Sequence, residues 1–142
     1  CDPYFGPDDL QVLQLVLRSA PHLKVAILTS RKQQQMNGAV DVEESYKKKW
    51  RSICDQQAPD TEIVVVGNSK GELPIHDRWW LTKGKGLRIG TSFNSLGAKK
   101  ESEISGLTEA ESRELELRVD EFIETRKREH NGEKLSVFVF SL

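Results

Sequence analysis

Side chains suited to holding a phosphate group are concentrated between Ile75 and Glu103. His76 and Arg78 are two residues apart, and a strand would point both to the same side because side chains alternate along it. Arginine offers a planar fork of donors for phosphate oxygens, and histidine can attack phosphorus or carry a proton. Ser92 and Asn94 add neutral donors. The segment predicts a phosphate site and leaves open whether an ester bond is cut there or a phosphate is only held.

The same segment has the pattern of a tight β-hairpin with its tip at Lys83-Gly84-Lys85-Gly86. A register that places Leu81 opposite Leu87 gathers every apolar side chain of the pair on one face and the polar site residues on the other. A slip of one residue would mix the two faces, so the pattern favours this register. It also pairs Trp79 with Ile89, Arg78 with Gly90, and His76 with Ser92.

For an isolated His-x-Arg pair the alternative is structural. Arg78 would then pair with an acid, and His76 would cap a loop. The Gly-Thr-Ser-x-Asn run at 90–94, which follows at matching register, favours the phosphate site over this alternative. Glycine at position 90 also leaves room for a ligand to approach the backbone.

Bulk properties bound the function. The 142 residues suit one domain over 1–142, and the start at Cys1 rather than Met suggests a fragment of a longer protein. A net charge of -1 argues against a strongly basic coat, so any contact with a polyanion must be local. No apolar run approaches the ~18 residues of a membrane span. The two cysteines, Cys1 and Cys54, make neither a disulfide framework nor a metal site, so we expect a soluble protein of a reducing compartment, the cytoplasm.

Short apolar runs alternate with helical patterns along the chain. Strands are predicted at Cys1–Phe5, Lys24–Thr29, Glu62–Val66 and Leu135–Phe140, besides the two of the hairpin. The order β-α-β-α-β-β-β-α-β predicts an α/β domain, a mixed β-sheet flanked by helices.

Three helices complete this order. Leu10–Leu17 is apolar almost all round, which predicts a well-buried helix, and Val42–Ile53 is amphipathic. Thr108 and Glu111 match a capping box at the start of the third helix, which is predicted to end near Asn131-Gly132. Residues 30–40 are predicted as a loop with some helix.

The run IHDRWWL, followed by GTSFN and ESE, resembles one half of the phospholipase D-like superfamily, known for its His-x-Lys and Gly-Ser/Thr-x-Asn elements. The layout of DPY, helix, strand and LTS at the front, followed by helix, strand and IHDR, is also similar to the phospholipase D-like C-terminal domain of MIT-domain proteins. Together the similarity spans nearly the whole chain. It implies the phospholipase D-like fold.

The resemblance also implies roles for individual residues. His76 would be the nucleophile that forms a phosphohistidine, and Arg78 stands where the superfamily has its phosphate-binding Lys. Ser92 and Asn94 would hold phosphate oxygens. Glu103, or alternatively Glu101, would orient the imidazole, and neither a metal nor another cofactor would be needed.

Two departures from the superfamily keep more than one function open. Lys83 occupies the position of the acid expected seven residues after the histidine, and only one copy of the motif is present. A phosphodiesterase, most plausibly a nuclease, would therefore need a homodimer or a second half-site. The alternatives are an inactive module that binds an acidic lipid headgroup or a nucleotide, and an interaction domain of a larger protein. For the nuclease, the basic residues clustered around the hairpin would bind nucleic acid in a salt-dependent way: Arg78, Lys83, Lys85, Arg88, Lys99 and Lys100.

Overall fold

A computed structural model describes residues 1–36, 38, 41–90 and 103–142 of the chain. A 3₁₀ helix (Pro7–Val12) leads into the first of four helices: α1 (Leu13–Ser19), α2 (Arg31–Met36), α3 (Val42–Ile53) and α4 (Glu109–Ile123). The strands are β1 (Val25–Ser30), β2 (Thr61–Gly67), β3 (Trp79–Thr82), β4 (Lys85–Ile89), β5 (Ile104–Gly106), β6 (Glu129–His130), β7 (Glu133–Lys134) and β8 (Ser136–Ser141). Among the described helices, none is long and apolar enough to cross a membrane.

The central sheet has the order β1-β2-β8, with β1 parallel and β8 antiparallel to β2. Successive side chains of β2 point to opposite faces and enter two separate cores. Val64 and Val66 pack in the core that contains Phe122 of α4, whereas Ile63 and Val65 pack in the core that contains Tyr46 of α3. The predicted α/β class is therefore confirmed, but the described strands form three small sheets rather than the one mixed sheet predicted.

The segment at 1–3 lies between β1 and the second sheet, which has the order β3-β4-β5. The Asp2 amide donates to the Leu28 carbonyl at 3.0 Å, and the Trp79 amide donates to the Cys1 carbonyl at 2.8 Å. The prediction of a strand over Cys1–Phe5 is nevertheless wrong. The chain turns at 3–4, where Pro3 has no N–H to donate, and the Phe5 amide bonds back to the Asp2 carbonyl at 3.1 Å.

The first helical segment is less buried than its composition predicts. Leu10 and Leu13 are buried, but Leu15 is 55% exposed. Leu15 lies in α1 and does not belong to the core that Leu10 and Leu13 enter, so this helix is buried on one side only. Most of the predicted loop at 30–40 is helix α2.

The third predicted helix ends earlier than expected, at Ile123. Its capping box is confirmed, because Thr108 Oγ1 accepts from the Glu111 amide and Glu111 accepts from the Thr108 amide. Asn131 and Gly132, both at positive φ (49° and 80°), instead form the turn of the β6–β7 hairpin. An Asn-Gly pair serves both roles, as a helix C-cap and as a two-residue hairpin turn.

The β3–β4 hairpin is present, but its register differs by one residue from the prediction. Leu81 lies opposite Gly86 rather than Leu87, because Lys83 and Gly84 alone form the turn, with Gly84 at φ 71°. Residues directly opposite in an antiparallel pair share a face, so Leu81 and Leu87 lie on different faces. A Cβ on Gly86 would come within 2.8 Å of the side-chain ends of both Leu81 and Leu107, so a larger residue there would require these two side chains to shift.

Candidate functional site

His76 lies just before β3 rather than within a strand, and the chain bends at Asp77. The buried side chain of Ile75 anchors the segment in the core, while the imidazole of His76 is exposed. It lines a cleft of about 110 Å³ together with Tyr4, Lys32, Glu72 and five other residues. Among the described residues, the His76 imidazole has no hydrogen-bond partner.

Arg78 is held on three sides. Its Nε lies 3.3 Å from Oδ1 of Asp2, its Nη1 donates to the Gly90 carbonyl at 3.2 Å, and its Cζ lies 4.6 Å from the centroid of the Tyr4 ring. The side chain is 20% exposed. Its Nη2 makes no hydrogen bond within the part of the chain that the structure describes. Because Tyr4 also lines the cleft beside His76, the same aromatic ring borders both candidate residues.

Asp2, the acid that pairs with Arg78, is only 2% exposed. Its Oδ1 also accepts the Tyr4 amide at 2.8 Å, and its buried Oδ2 has no hydrogen-bond partner among the described residues. Desolvation raises the pKa of Asp2, while the Tyr4 amide and the Arg78 guanidinium act to lower it. Sequence patterns did not reveal this residue as part of the site. An acidic partner for Arg78 is one of the alternatives given above. Residues so far apart in the chain, however, share no local spacing pattern that would identify Asp2 as that partner.

A salt bridge between Lys32 and Glu72, with Nζ 2.8 Å from Oε1, borders the cleft beside His76. This hydrogen bond raises the pKa of Lys32 and lowers that of Glu72, and the charge of His76 adds to the lowering. Both side chains are exposed, so solvent screens the pair and it adds little stability. The pair also leaves the cleft with little net charge from these two residues.

The hairpin lysines are not brought to this cleft. Lys83 and Lys85 lie at the tip of the hairpin, and the length of β3 separates Arg78 from Lys83 by roughly 16 Å along the strand. The tip lies against α4, whose Glu116 accepts the Gly84 amide at 2.9 Å. The acidic side of α4 makes the tip a poor place for an anion.

Glu103 is placed near Arg78 through the backbone. Its carbonyl accepts the Gly90 amide at 3.0 Å, and the carbonyl of Gly90 in turn accepts from Arg78. The exposed Glu103 side chain makes no hydrogen bond to His76 in the described part of the chain. The remaining predicted site residues lie outside the described residues: Ser92, Asn94, Lys99, Lys100 and Glu101.

Larger grooves lie elsewhere on the described surface, and two of them have about five times the volume of this cleft. One, of about 530 Å³, is at the ends of β1 and β2, where Arg31 already donates to the Asn68 carbonyl at 2.6 Å. The other, of about 540 Å³, lies beyond α3 near Cys54. Neither contains a histidine, so size alone does not identify the candidate site. No group of three or more His, Cys, Asp or Glu side chains in the described ranges could hold a metal ion.

A comparison with protein-family models gives no match for this chain, and comparisons with curated proteins and with solved structures give none either. The function proposed below therefore depends on the residues and their geometry.

Proposed function

We propose that this domain binds the phosphate group of a phosphodiester at Arg78, with His76 beside the bound group, in a fold of the phospholipase D-like kind. The observation that carries the proposal is the fixed guanidinium. Asp2, Tyr4 and the Gly90 carbonyl hold Arg78 on three sides, and Nη2, which makes no hydrogen bond to any described residue, has donors to offer a ligand. A donor that is already ordered loses little conformational entropy when it binds an anion.

The architecture supports the same proposal. A mixed sheet lies between helices, and His76 and Arg78 lie directly before the β3–β4 hairpin in the chain. Arg78 is the one positively charged side chain at the described base of the hairpin. A single charge suits contact with one phosphate group rather than with many phosphates along a polyanion. The same contact serves a nucleic-acid phosphate and an acidic lipid headgroup.

A second candidate is phosphodiester cleavage, and it is favoured by the imidazole of His76, which has no hydrogen-bond partner among the described residues. A ring nitrogen without a protein partner can attack phosphorus, forming an N–P bond while the P–O bond to the leaving alcohol breaks. The alkoxide would take a proton from an acid, and water would then release the phosphoryl group from His76. A histidine of a second half-site, contributed by a second copy or another segment, would supply the acid.

Binding tests the first candidate. Affinity for bis(p-nitrophenyl) phosphate, a short single-stranded DNA, and vesicles containing phosphatidylserine is measured by calorimetry or sedimentation for wild type, Arg78→Lys and Arg78→Ala. We expect Arg78→Lys to lose about tenfold in affinity for the preferred ligand, which corresponds to about 1.4 kcal/mol. Arg78→Ala should lose more. Arg51→Ala, at an arginine of α3 whose side chain is 69% exposed, is the matched control. Equal affinity of Arg78→Ala and wild type for all three ligands rejects the proposal.

Cleavage is measured separately, with the same soluble diester in EDTA. We expect release of p-nitrophenol by wild type, at a rate that rises with the square of protein concentration if a dimer forms the site. His76→Ala should abolish the release, and His22→Ala, at another exposed histidine, should not. If wild type and His76→Ala bind the diester equally and neither releases p-nitrophenol, the phosphate-binding function stands and the cleavage function is excluded.

A further inference from the structure

Three contacts hold the Arg78 guanidinium at the base of the hairpin, and one of them, an ion pair, comes from Asp2 near the start of the chain. Asp2 is buried, lies beside Nε of Arg78 at 3.3 Å, and is itself held by the Tyr4 amide at 2.8 Å. The Asp2 amide is bonded to the Leu28 carbonyl of β1 at 3.0 Å. The carboxylate is therefore rigidly attached to the central sheet.

We infer that Asp2 is a positioning residue, which turns the Nη2 end of Arg78 toward the phosphate and keeps Nε away from it. The inference rests on the proposed function of the same site. An unrestrained arginine offers a phosphate either the edge with Nε or the end with the two Nη atoms. Here Nε faces Asp2 and Nη1 donates to the Gly90 carbonyl, so the ligand is received at the Nη2 end.

The direction in which one substitution of Asp2 changes phosphate affinity distinguishes a positioning role from a purely electrostatic one. A carboxylate close to an anion site repels the anion, so replacing it with a neutral side chain of the same shape should strengthen phosphate binding. If Asp2 positions Arg78, the same replacement frees the guanidinium to rotate and should weaken binding despite the lost repulsion. The two roles predict opposite changes.

The experiment measures the dissociation constant of bis(p-nitrophenyl) phosphate for wild type, Asp2→Asn and Asp9→Asn. Asp9 is the matched control, because it is equally buried and holds the Gly6 amide at 2.8 Å. We expect Asp2→Asn to weaken binding about tenfold, and Asp9→Asn to leave it within about twofold of wild type. Equal or tighter binding by Asp2→Asn overturns the inference while the proposed function stands. No binding by wild type, or no loss in Arg78→Ala, overturns both.

A second measurement needs no ligand and no folded Asp2 variant. The Nε–H group of Arg78, assigned by its loss in Arg78→Lys, is observed by ¹⁵N NMR in the wild-type chain. A guanidinium held against a buried carboxylate should show slow exchange with water and restricted motion. Exchange as fast as that of the exposed arginine at position 88 rejects the positioning role.

Discussion

At the scale of single residues, burial and pairing act on Asp2 in opposite directions. Desolvation raises its pKa above the ordinary value of 3.8, while the Tyr4 amide and the Arg78 guanidinium act to lower it. The net shift is upward, so desolvation outweighs the partners. The folded chain therefore holds the Asp2 proton more tightly than the unfolded chain does. Ionised Asp2 consequently lowers the free energy of unfolding at neutral pH.

This shift predicts a pH dependence of defined sign. As the pH falls through the raised pKa of Asp2 toward 3.8, the folded state takes up a proton first. Wild type should therefore gain stability relative to Asp2→Asn across that window, with no further change below it. Urea unfolding of both proteins between about pH 7 and about pH 3.5 measures the difference, in which the other titrating groups cancel. If wild type instead loses stability relative to Asp2→Asn on acidification, the Arg78 pair outweighs desolvation in setting the pKa of Asp2.

The candidate site could be predicted from the sequence only in part. His76 and Arg78 were found because their side chains have obvious phosphate chemistry at close spacing. Asp2 and Tyr4 could not be found, since their contacts with Arg78 arise from tertiary packing of the segment at 1–4 against β3. Patterns of period two or 3.6 carry no information about such contacts. The sequence shows the charge of Lys83 but not the tertiary contact beside it, in which Glu116 of α4 accepts the Gly84 amide.

At the scale of elements, the turn of the β6–β7 hairpin depends on the left-handed backbone conformation of Gly132. Gly132 has φ 80°, and a Cβ added there would meet nothing within 4 Å. Gly132→Ala should therefore cost about 1 kcal/mol of unfolding free energy through backbone strain, without any steric clash. Gly106→Ala is the matched control, because its added Cβ also meets nothing and its φ is not in the left-handed region. Urea unfolding that gives equal losses for both variants contradicts this assignment.

The strands and helices with strong local signals could be predicted. β1, β2, α3 and the start of α4 are where apolar periodicity and the capping box place them. The predicted hairpin register is wrong because it follows the apolar pattern of the two strands. A two-residue turn with Gly84 at positive φ fixes the pairing instead. The predicted end of α4 is wrong because an Asn-Gly pair fits both a helix C-cap and a two-residue hairpin turn.

At the scale of the whole molecule, a buried polar cluster joins the two helices α2 and α3 to the segment that carries Asp2 and Tyr4. The Phe5 carbonyl accepts from Thr29 Oγ1 at 2.9 Å and from Gln34 Nε2 at 2.9 Å. The Tyr46 hydroxyl lies 3.1 Å from that carbonyl and 3.0 Å from Oε1 of Gln34, either of which can accept its hydrogen. Burial raises the pKa of Tyr46, so the hydroxyl keeps its proton and remains a donor.

Removing the Tyr46 hydroxyl should therefore lower the free energy of unfolding. In Tyr46→Phe the ring still fills its place between Phe5 and Phe140, but Oε1 of Gln34 stays buried without its donor. We expect a loss of about 1 to 2 kcal/mol in the free energy of unfolding, because a buried acceptor without a partner costs its desolvation energy.

Tyr4→Phe removes the same atom from a side chain that is 44% exposed, and it preserves the ring that packs against Arg78. Its cost should stay within about 0.5 kcal/mol, as for most surface substitutions. Urea unfolding at one pH, with equal slopes for both variants, measures the two losses. If Tyr46→Phe costs no more than Tyr4→Phe, the cluster does not hold the site-bearing segment to α2 and α3. Packing of Leu10 and Leu13 against the sheet would then have to position it.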